Sequence, residues 1–229
     1  MIIFRNILFY ICFYLGTIFF FLTFSPVKFF SYKFVVYLSN LWTRSVIKLS
    51  KIILGINYAI SGLENIPKER SFIVASNHQS AWETFFFGSL FPGSVFILKK
   101  ELNRIPIFKW YFEKLGFIFV ERNKNFKSLK TVLRSVRKLT KNQNKIFVIF
   151  PEGTRLSPGT TGRINAGFFA IHKFLKIPIL PVKLNSGDFW INKSFKKKSG
   201  TINVKIFPLI NKVSSKDKVI RILEKSFYQ

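Results

Sequence analysis

The chain falls into three stretches by the spacing of its apolar residues. From Ile7 to Phe24 (ILFYICFYLGTIFFFLTF) it is apolar and uncharged, a run long enough as a helix to cross or nearly cross a hydrocarbon core. From Phe29 to Leu54 apolar and basic residues mix, which predicts a second, interfacial helix with Trp42 and the tyrosines at headgroup depth. From about Ile56 the pattern breaks into short apolar runs separated by turns and amphipathic stretches. Strands are expected at Ser71–Ala75, Val95–Leu98, Phe117–Val120, Ile146–Phe150, Ile179–Leu184 and Ile202–Phe207. Between them, Phe126, Leu129, Val132, Leu133, Val136 and Leu139 fall at helical spacing, and Ser214 or Ser215 is placed to cap a last helix running towards Phe227. Strands alternating with helices predict an α/β domain: a largely parallel mixed sheet flanked by helices, over residues 55–229, behind an N-terminal membrane anchor and interfacial helix over 1–54.

Charge and composition narrow the partners. Lys and Arg number 37 against 10 Asp and Glu, a net charge of +27, which calls for an anionic surface or an acidic partner. A secretory signal is the competing reading of the N-terminus, but no small-residue cleavage site follows Phe24; the chain continues Ser25-Pro26-Val27-Lys28. The apolar run is therefore read as a retained anchor, and the anionic surface as a membrane rather than nucleic acid. Lys28, Lys33, Arg44, Lys48 and Lys51 follow the run, against Arg5 before it. The positive-inside rule then puts the body on the cytoplasmic face, the inner membrane in a bacterium. The single cysteine, Cys12, lies in the apolar run, which excludes an internal disulfide, disfavours zinc and leaves no thiol nucleophile in the soluble part.

The candidate chemistry starts at His78, one of two histidines, in Asn77-His78-Gln79-Ser80-Ala81-Trp82-Glu83. A neutral imidazole with a nearby carboxylate is what base-catalysed attack by a hydroxyl needs: the ring takes the proton and the carboxylate fixes its tautomer. On one continuous helix, five residues turn the chain by about 500°, so the two side chains would point roughly 140° apart. They meet only if His78 precedes a helix and Glu83 lies in its first turn. Ser71–Ala75 as a strand, with Ser76 or Asn77 as cap, fits that arrangement; a capped helix start carrying a solvated histidine fits it too. A second constellation, Phe150-Pro151-Glu152-Gly153-Thr154-Arg155, follows a buried strand, at the strand end where α/β sheets hold ligands. Gly153 lets backbone amides approach an anion, and Arg155 carries a planar fork suited to phosphate oxygens. A polar turn capped by Thr154 is the plain alternative.

Taken together, Asn77-His78 with Glu83, and Phe150–Arg155 downstream, resemble the glycerolipid acyltransferase superfamily, and most of all its lysophosphatidic acid acyltransferases. Two weaker blocks keep the family's order: Lys99-Lys100-Glu101-Leu102 leading through Pro106 to Gly116–Arg122, and Ile177-Pro178-Ile179-Leu180-Pro181-Val182. The likeness spans roughly residues 55 to 210. One position departs: the family usually has Asp where this chain has Glu83, whose extra methylene lengthens the reach and alters the geometry to His78. The resemblance implies transfer of a fatty acyl group from acyl-carrier protein or coenzyme A to the hydroxyl of lysophosphatidic acid, giving phosphatidic acid, with no metal or other cofactor. It makes His78 the general base and Glu83 its support. Glu152, Gly153, Thr154 and Arg155 form the phosphate-side block, with Lys100 and Arg122 adding charge. The implied partners are membrane phospholipid, the lysophospholipid and an acidic carrier protein or coenzyme A thioester.

Other readings stay open at this stage. Ser76 and Ser80 flank His78, but the chain has no Gly-x-Ser-x-Gly elbow for a serine hydrolase. His172 sits on a helical pattern without a nearby carboxylate and reads as structural or solvated, and Arg163 as either a phosphate contact or surface. The backbone amides near Ser80 and in the Gly153 turn are candidate oxyanion donors. Another acceptor, such as glycerol 3-phosphate or a different lysolipid, and a non-catalytic protein that binds anionic membranes are the alternatives.

Overall fold

The computed structural model describes residues 2–68, 70–100, 106–120, 125–141, 143–211 and 215–229. The apolar N-terminal run forms helix α1 (Ile2–Thr23), and the basic segment after it forms α2 (Tyr32–Leu49), capped by the Ser31 hydroxyl and extended by a π-helical turn over Ser50–Leu54. The α/β part follows as β1 (Ile56–Ser61), β2 (Phe72–Ser76), α3 (Trp82–Leu90), β3 (Val95–Lys99), α4 (Pro106–Leu115), β4 (Ile118–Val120), α5 (Asn125–Thr140), β5 (Ile146–Ile149), α6 (Gly167–Leu175), β6 (Ile179–Leu184), β7 (Gly200–Ile206) and α7 (Lys216–Tyr228).

The strands make one seven-stranded sheet in the order β1-β7-β6-β2-β5-β3-β4. Every pairing is parallel except β6 with β7, so β7 and its parallel neighbour β1 run against the rest. The largely parallel mixed sheet expected from the alternation is present, and six of its seven strands lie where the apolar runs put them. The seventh, β1, has only Ile56 buried; Asn57, Tyr58, Ala59 and Ser61 are exposed on an edge that pairs with β7 alone, so no apolar alternation marks it.

Helices cover both faces, and this is why the central strands read as unbroken apolar runs. Alternate residues of β2 feed the two cores. Phe72 and Val74 join Trp82, Phe87, Val148 and Leu180 on one side; Ile73 and Ala75 join Phe147, Phe168, Ile171 and Leu223 on the other. The α5 pattern behaves as its spacing requires: Val132 and Val136 are buried, while Lys130, Arg134, Arg137 and Lys138 are exposed to solvent.

The N-terminal helices are docked on this body. Phe9 of α1 is fully buried in the same core as Trp82 and lies 5.3 Å from the Trp190 ring. α1 also starts earlier than the uncharged run, at Ile2, because the body satisfies its polar residues. Arg5 donates to the Ile53 carbonyl (2.6 Å), and buried Asn6 exchanges hydrogen bonds with the Lys197 backbone. Near its other end, Phe21 packs on Trp42, Phe108 and Tyr111. The opposite face stays apolar and open: Ile3, Phe4, Ile11, Leu15, Ile18, Phe19 and Leu22 are all exposed. By length and composition α1 can cross a membrane. Trp42 packs within the protein. It is half-buried between Phe21 and Phe85, with ring centroids 5.3 and 5.2 Å away.

Candidate active site

β2 and β5 are parallel neighbours in register, with Ala75 opposite Ile149. That pairing brings the two sequence blocks together, since His78 follows the carboxyl end of β2 and Phe150–Arg155 follows that of β5. β6, on the other side of β2, adds a third strand end. Asn77 clamps it with a reciprocal pair of hydrogen bonds to the Leu184 carbonyl (2.8 Å) and amide (2.9 Å).

His78 therefore sits in a short loop and Glu83 in the first turn of α3, as the spacing demands. The cap differs from the expected one. Ser76 ends β2, Asn77 is occupied with Leu184, and it is the Ser80 hydroxyl that accepts from the Trp82 amide (3.0 Å). The Glu83 side chain folds back over the helix start, fully buried. Its Oε1 accepts from His78 Nδ1 (2.9 Å) and from the amides of Gln79 (2.6 Å) and Ser80 (2.7 Å). Its Oε2 lies 2.6 Å from the hydroxyls of both Ser80 and Ser186, which are 2.8 Å apart. Burial raises the carboxyl's proton affinity, but the bonds from His78, Ser186 and Ser80 outweigh it, so the group is held below the ordinary glutamate pKa. An ionised Glu83 accepting at Nδ1 fixes the proton there and leaves Nε2 as the nitrogen that can take a proton. The His78 ring stacks on Phe150, with centroids 4.0 Å apart and planes 15° from parallel, and keeps 14% of its side chain exposed.

The second block is divided by orientation. Glu152 turns inward: its Oε2 accepts from the His78 amide (2.7 Å) and its Oε1 from the Tyr228 hydroxyl (2.8 Å). It thus braces the backbone of His78. Burial lifts its pKa, and the bonds from Tyr228 and His78 only partly offset this. Tyr228 in turn accepts from the Gly162 amide (3.1 Å), and the Leu156 amide donates to the His78 carbonyl (2.8 Å), closing the loop over the motif. Gly153 has φ +69, the left-handed region, and lets the chain turn outwards. Thr154 and Arg155 beyond it are exposed; the Arg155 guanidinium donates to the Asn192 side chain at 3.4 Å. Lys100 is exposed at the carboxyl end of β3, and Arg122 lies outside the described residues.

Several neighbours carry no local sequence signal. Ser186 and Tyr228 reach the site from far along the chain. Lys197, in the triplet Lys196-Lys197-Lys198, is buried with its ammonium on the carbonyls of Ile191 (2.9 Å) and Ser194 (2.5 Å). Burial, and then the nearby Arg155 charge, pulls its pKa down to about 8. Ser80 is no nucleophile for His78, because its hydroxyl is held against Glu83. The amides of Gln79 and Ser80 are occupied by Glu83, and that of Gly153 by the Phe150 carbonyl (2.9 Å), so these oxyanion-donor candidates are already paired. His172 is buried with Nδ1 on the Ile177 carbonyl (2.6 Å), a structural contact, and Arg163 is exposed.

Comparison with known proteins places the chain in a family. Residues 57–185 match the acyltransferase family. A 1-acyl-sn-glycerol-3-phosphate acyltransferase of Pseudomonas aeruginosa is 36% identical over 214 residues, covering 90% of this chain and 80% of that protein. A yeast protein of the same name, from Saccharomyces cerevisiae, is 30% identical over 187 residues, covering 80% of this chain and 61% of its own length. In three dimensions the chain resembles the crystal structure of the 1-acyl-sn-glycerophosphate (LPA) acyltransferase PlsC from Thermotoga maritima. The TM-score is 0.80 at 25% identity, over 100% of this chain and 95% of that one.

Proposed function

The chain belongs to the acyltransferase family, and from that premise we propose that it transfers a fatty acyl group from a thioester to the free hydroxyl of lysophosphatidic acid, forming phosphatidic acid. The activity for which these relatives are named supports the acceptor. The observation that carries the mechanism is the double fixing of His78, by Glu83 at Nδ1 and by Glu152 at its backbone amide. Nε2 removes the proton of the acceptor hydroxyl as that oxygen bonds to the thioester carbonyl carbon. The tetrahedral intermediate then collapses, the C–S bond breaks, and the departing sulfur takes the proton from the imidazolium. Glu83, ionised and dry, stabilises the imidazolium between the two transfers.

Arg155, on the outward half of the motif, is the phosphate-binding group of this reading, with Lys100 and Arg122 as further positive charge. Gly153 and Thr154 shape the turn that presents Arg155. Glu152 acts through His78 rather than on the phosphate. Acyl-carrier protein or coenzyme A supplies the thioester, and no other cofactor is required. Residues 1–54 hold the body at a bilayer through the open apolar face of α1, so the acceptor need not leave the membrane. The basic residues that follow α1 favour the cytoplasmic face.

The test is a panel of acceptors (lysophosphatidate, glycerol 3-phosphate and an uncharged monoacylglycerol), each with acyl-coenzyme A and acyl-carrier protein, measuring labelled acyl transfer by the wild-type chain and by His78→Ala. Transfer to lysophosphatidate that disappears with His78 is expected. Equal activity on the uncharged acceptor would remove Arg155 from its role, and equal activity without His78 would sink the mechanism.

A further inference from the structure

A second cationic pocket lies at the opposite end of the sheet from the His78 site, where the chain enters β5. Lys145 precedes β5 and Glu152 follows it, about 20 Å away along an extended strand. The Lys145 side chain enters a cleft of about 320 Å³ between the first turn of α2, the Pro92–Ser94 turn and the segment leading into β5. Tyr32, Lys33, Gly93, Ser94 and Gln143 line it with Lys145. Substrates of parallel sheets collect at the carboxyl ends of the strands, so this cleft is not an extension of the site around His78.

Its polar groups are built for an anion they do not find within the protein. Lys145 is only 5% exposed, yet no carboxylate pairs with it among the described residues. Its ammonium donates to the Tyr32 hydroxyl (2.5 Å) and lies 4.5 Å from the centre of that ring, which accounts for one N–H of three. Ser94 is 4% exposed, and its hydroxyl has no hydrogen-bond partner among the described residues. A buried ammonium with unused donors beside a buried hydroxyl without an acceptor is costly unless a ligand completes both. The eighteen-residue helix α2 begins at the same wall, adding the partial positive charge of its amino end, and Lys33 adds a full one.

The surroundings identify the anion's carrier. Phe29, 89% exposed, stands just before this turn of α2, and Phe34 and Tyr37 are exposed just after it. A cationic pocket bordered by outward aromatics suits a phosphate at the level of lipid headgroups. We infer that the Tyr32–Ser94–Lys145 cleft is a second phosphoryl-binding site, separate from the acceptor site, that holds the headgroup phosphate of an anionic phospholipid.

The experiment compares Lys145→Met, Ser94→Ala and, as a charge-matched control, Lys218→Met on α7. All are made in the full chain with Arg155→Ala to remove the acceptor site. Affinity is measured by co-flotation with phosphatidylcholine vesicles, with and without a minor share of phosphatidic acid. Inorganic phosphate is titrated in parallel by phosphorus NMR in neutral detergent. Lys145→Met should weaken the preference for anionic vesicles about tenfold and Ser94→Ala by a smaller factor, as loss of charge-assisted bonds predicts, with Lys218→Met near unity. Ser94→Ala removes an unsatisfied hydroxyl and should keep the melting temperature, so its result stands even if Lys145→Met folds poorly. Equal vesicle affinity for Ser94→Ala, Lys145→Met and the control overturns the proposal. So does a Lys145-dependent signal from inorganic phosphate with unchanged vesicle binding, which would assign the cleft to the free ion.

Discussion

The two halves of the candidate site are built to opposite specifications. Around Glu83 five donors converge on two carboxylate oxygens, and every one is protein. Around Arg155 the one side-chain hydrogen bond among the described residues is 3.4 Å long, and the turn that carries it is exposed. On the function proposed above, a proton moves only between groups held within hydrogen-bond reach and in one tautomer, which suits an over-determined His78. A phosphate arriving on an amphiphile from a fluid bilayer would, on the same reading, meet a charge that can follow it. Glu152 joins the halves: its backbone belongs to the open turn, and its carboxylate to the closed one.

That contrast predicts graded effects. His78→Ala should lower kcat by about 10² to 10⁴-fold while the protein still binds vesicles, the span expected for a lost general base. Glu83→Gln tests charge against geometry. Its amide oxygen can still accept from Nδ1, and its nitrogen can face the two serine hydroxyls. We expect the fold to survive and kcat to fall about 10²-fold, for want of a negative charge beside the imidazolium. Wild-type kcat in Glu83→Gln would reduce that carboxylate to a positioning role.

Arg155→Ala should act on the other half: KM for lysophosphatidate rises about tenfold or more with kcat nearly kept, as for a charge-assisted contact made equally in ground and transition states. A fall in kcat alone would join it to the proton-transfer half and erase the comparison. Tyr228→Phe removes one donor to Glu152 and the acceptor of the Gly162 amide. It should cost about 1 kcal/mol of stability, read as a lower denaturation midpoint. Smallest are the pH effects, and they have opposite signs. Glu83 titrates below its ordinary range, so its stabilisation is present at neutral pH and is lost as pH falls through that lowered pKa. Glu152 titrates above its range, so its stabilisation is present in acid and is lost as pH rises through the raised value. Melting curves from acid to neutral pH should show Glu83→Gln losing ground to wild type on the way up, and Glu152→Gln gaining it.

What the sequence made legible follows the range of the interactions. The His78–Glu83 spacing admits one geometry, a loop followed by a helical first turn, and the buried runs at Phe72 and Ile146 announce strands whose ends can hold a site. The longer arm of Glu83 was legible as a departure but not in its outcome. Its reach to His78 depends on Ser186, which comes from beyond β6, and no local pattern around Ser186 marks it. Tyr228 and the docking of α1 escaped for the same reason: each rests on contacts between residues far apart in the chain, Tyr228 with Glu152 and Asn6 with the Lys197 backbone. β1 escaped because an edge strand with one buried side chain has no period to read.

The hydroxyl of Tyr228 has a consequence in time. α1 leaves the ribosome first and Tyr228 more than two hundred residues later, so the loop carrying His78 gains its last brace only once α7 has emerged and packed. The Tyr228–Glu152 bond is therefore among the last contacts of the site to form as the chain is made.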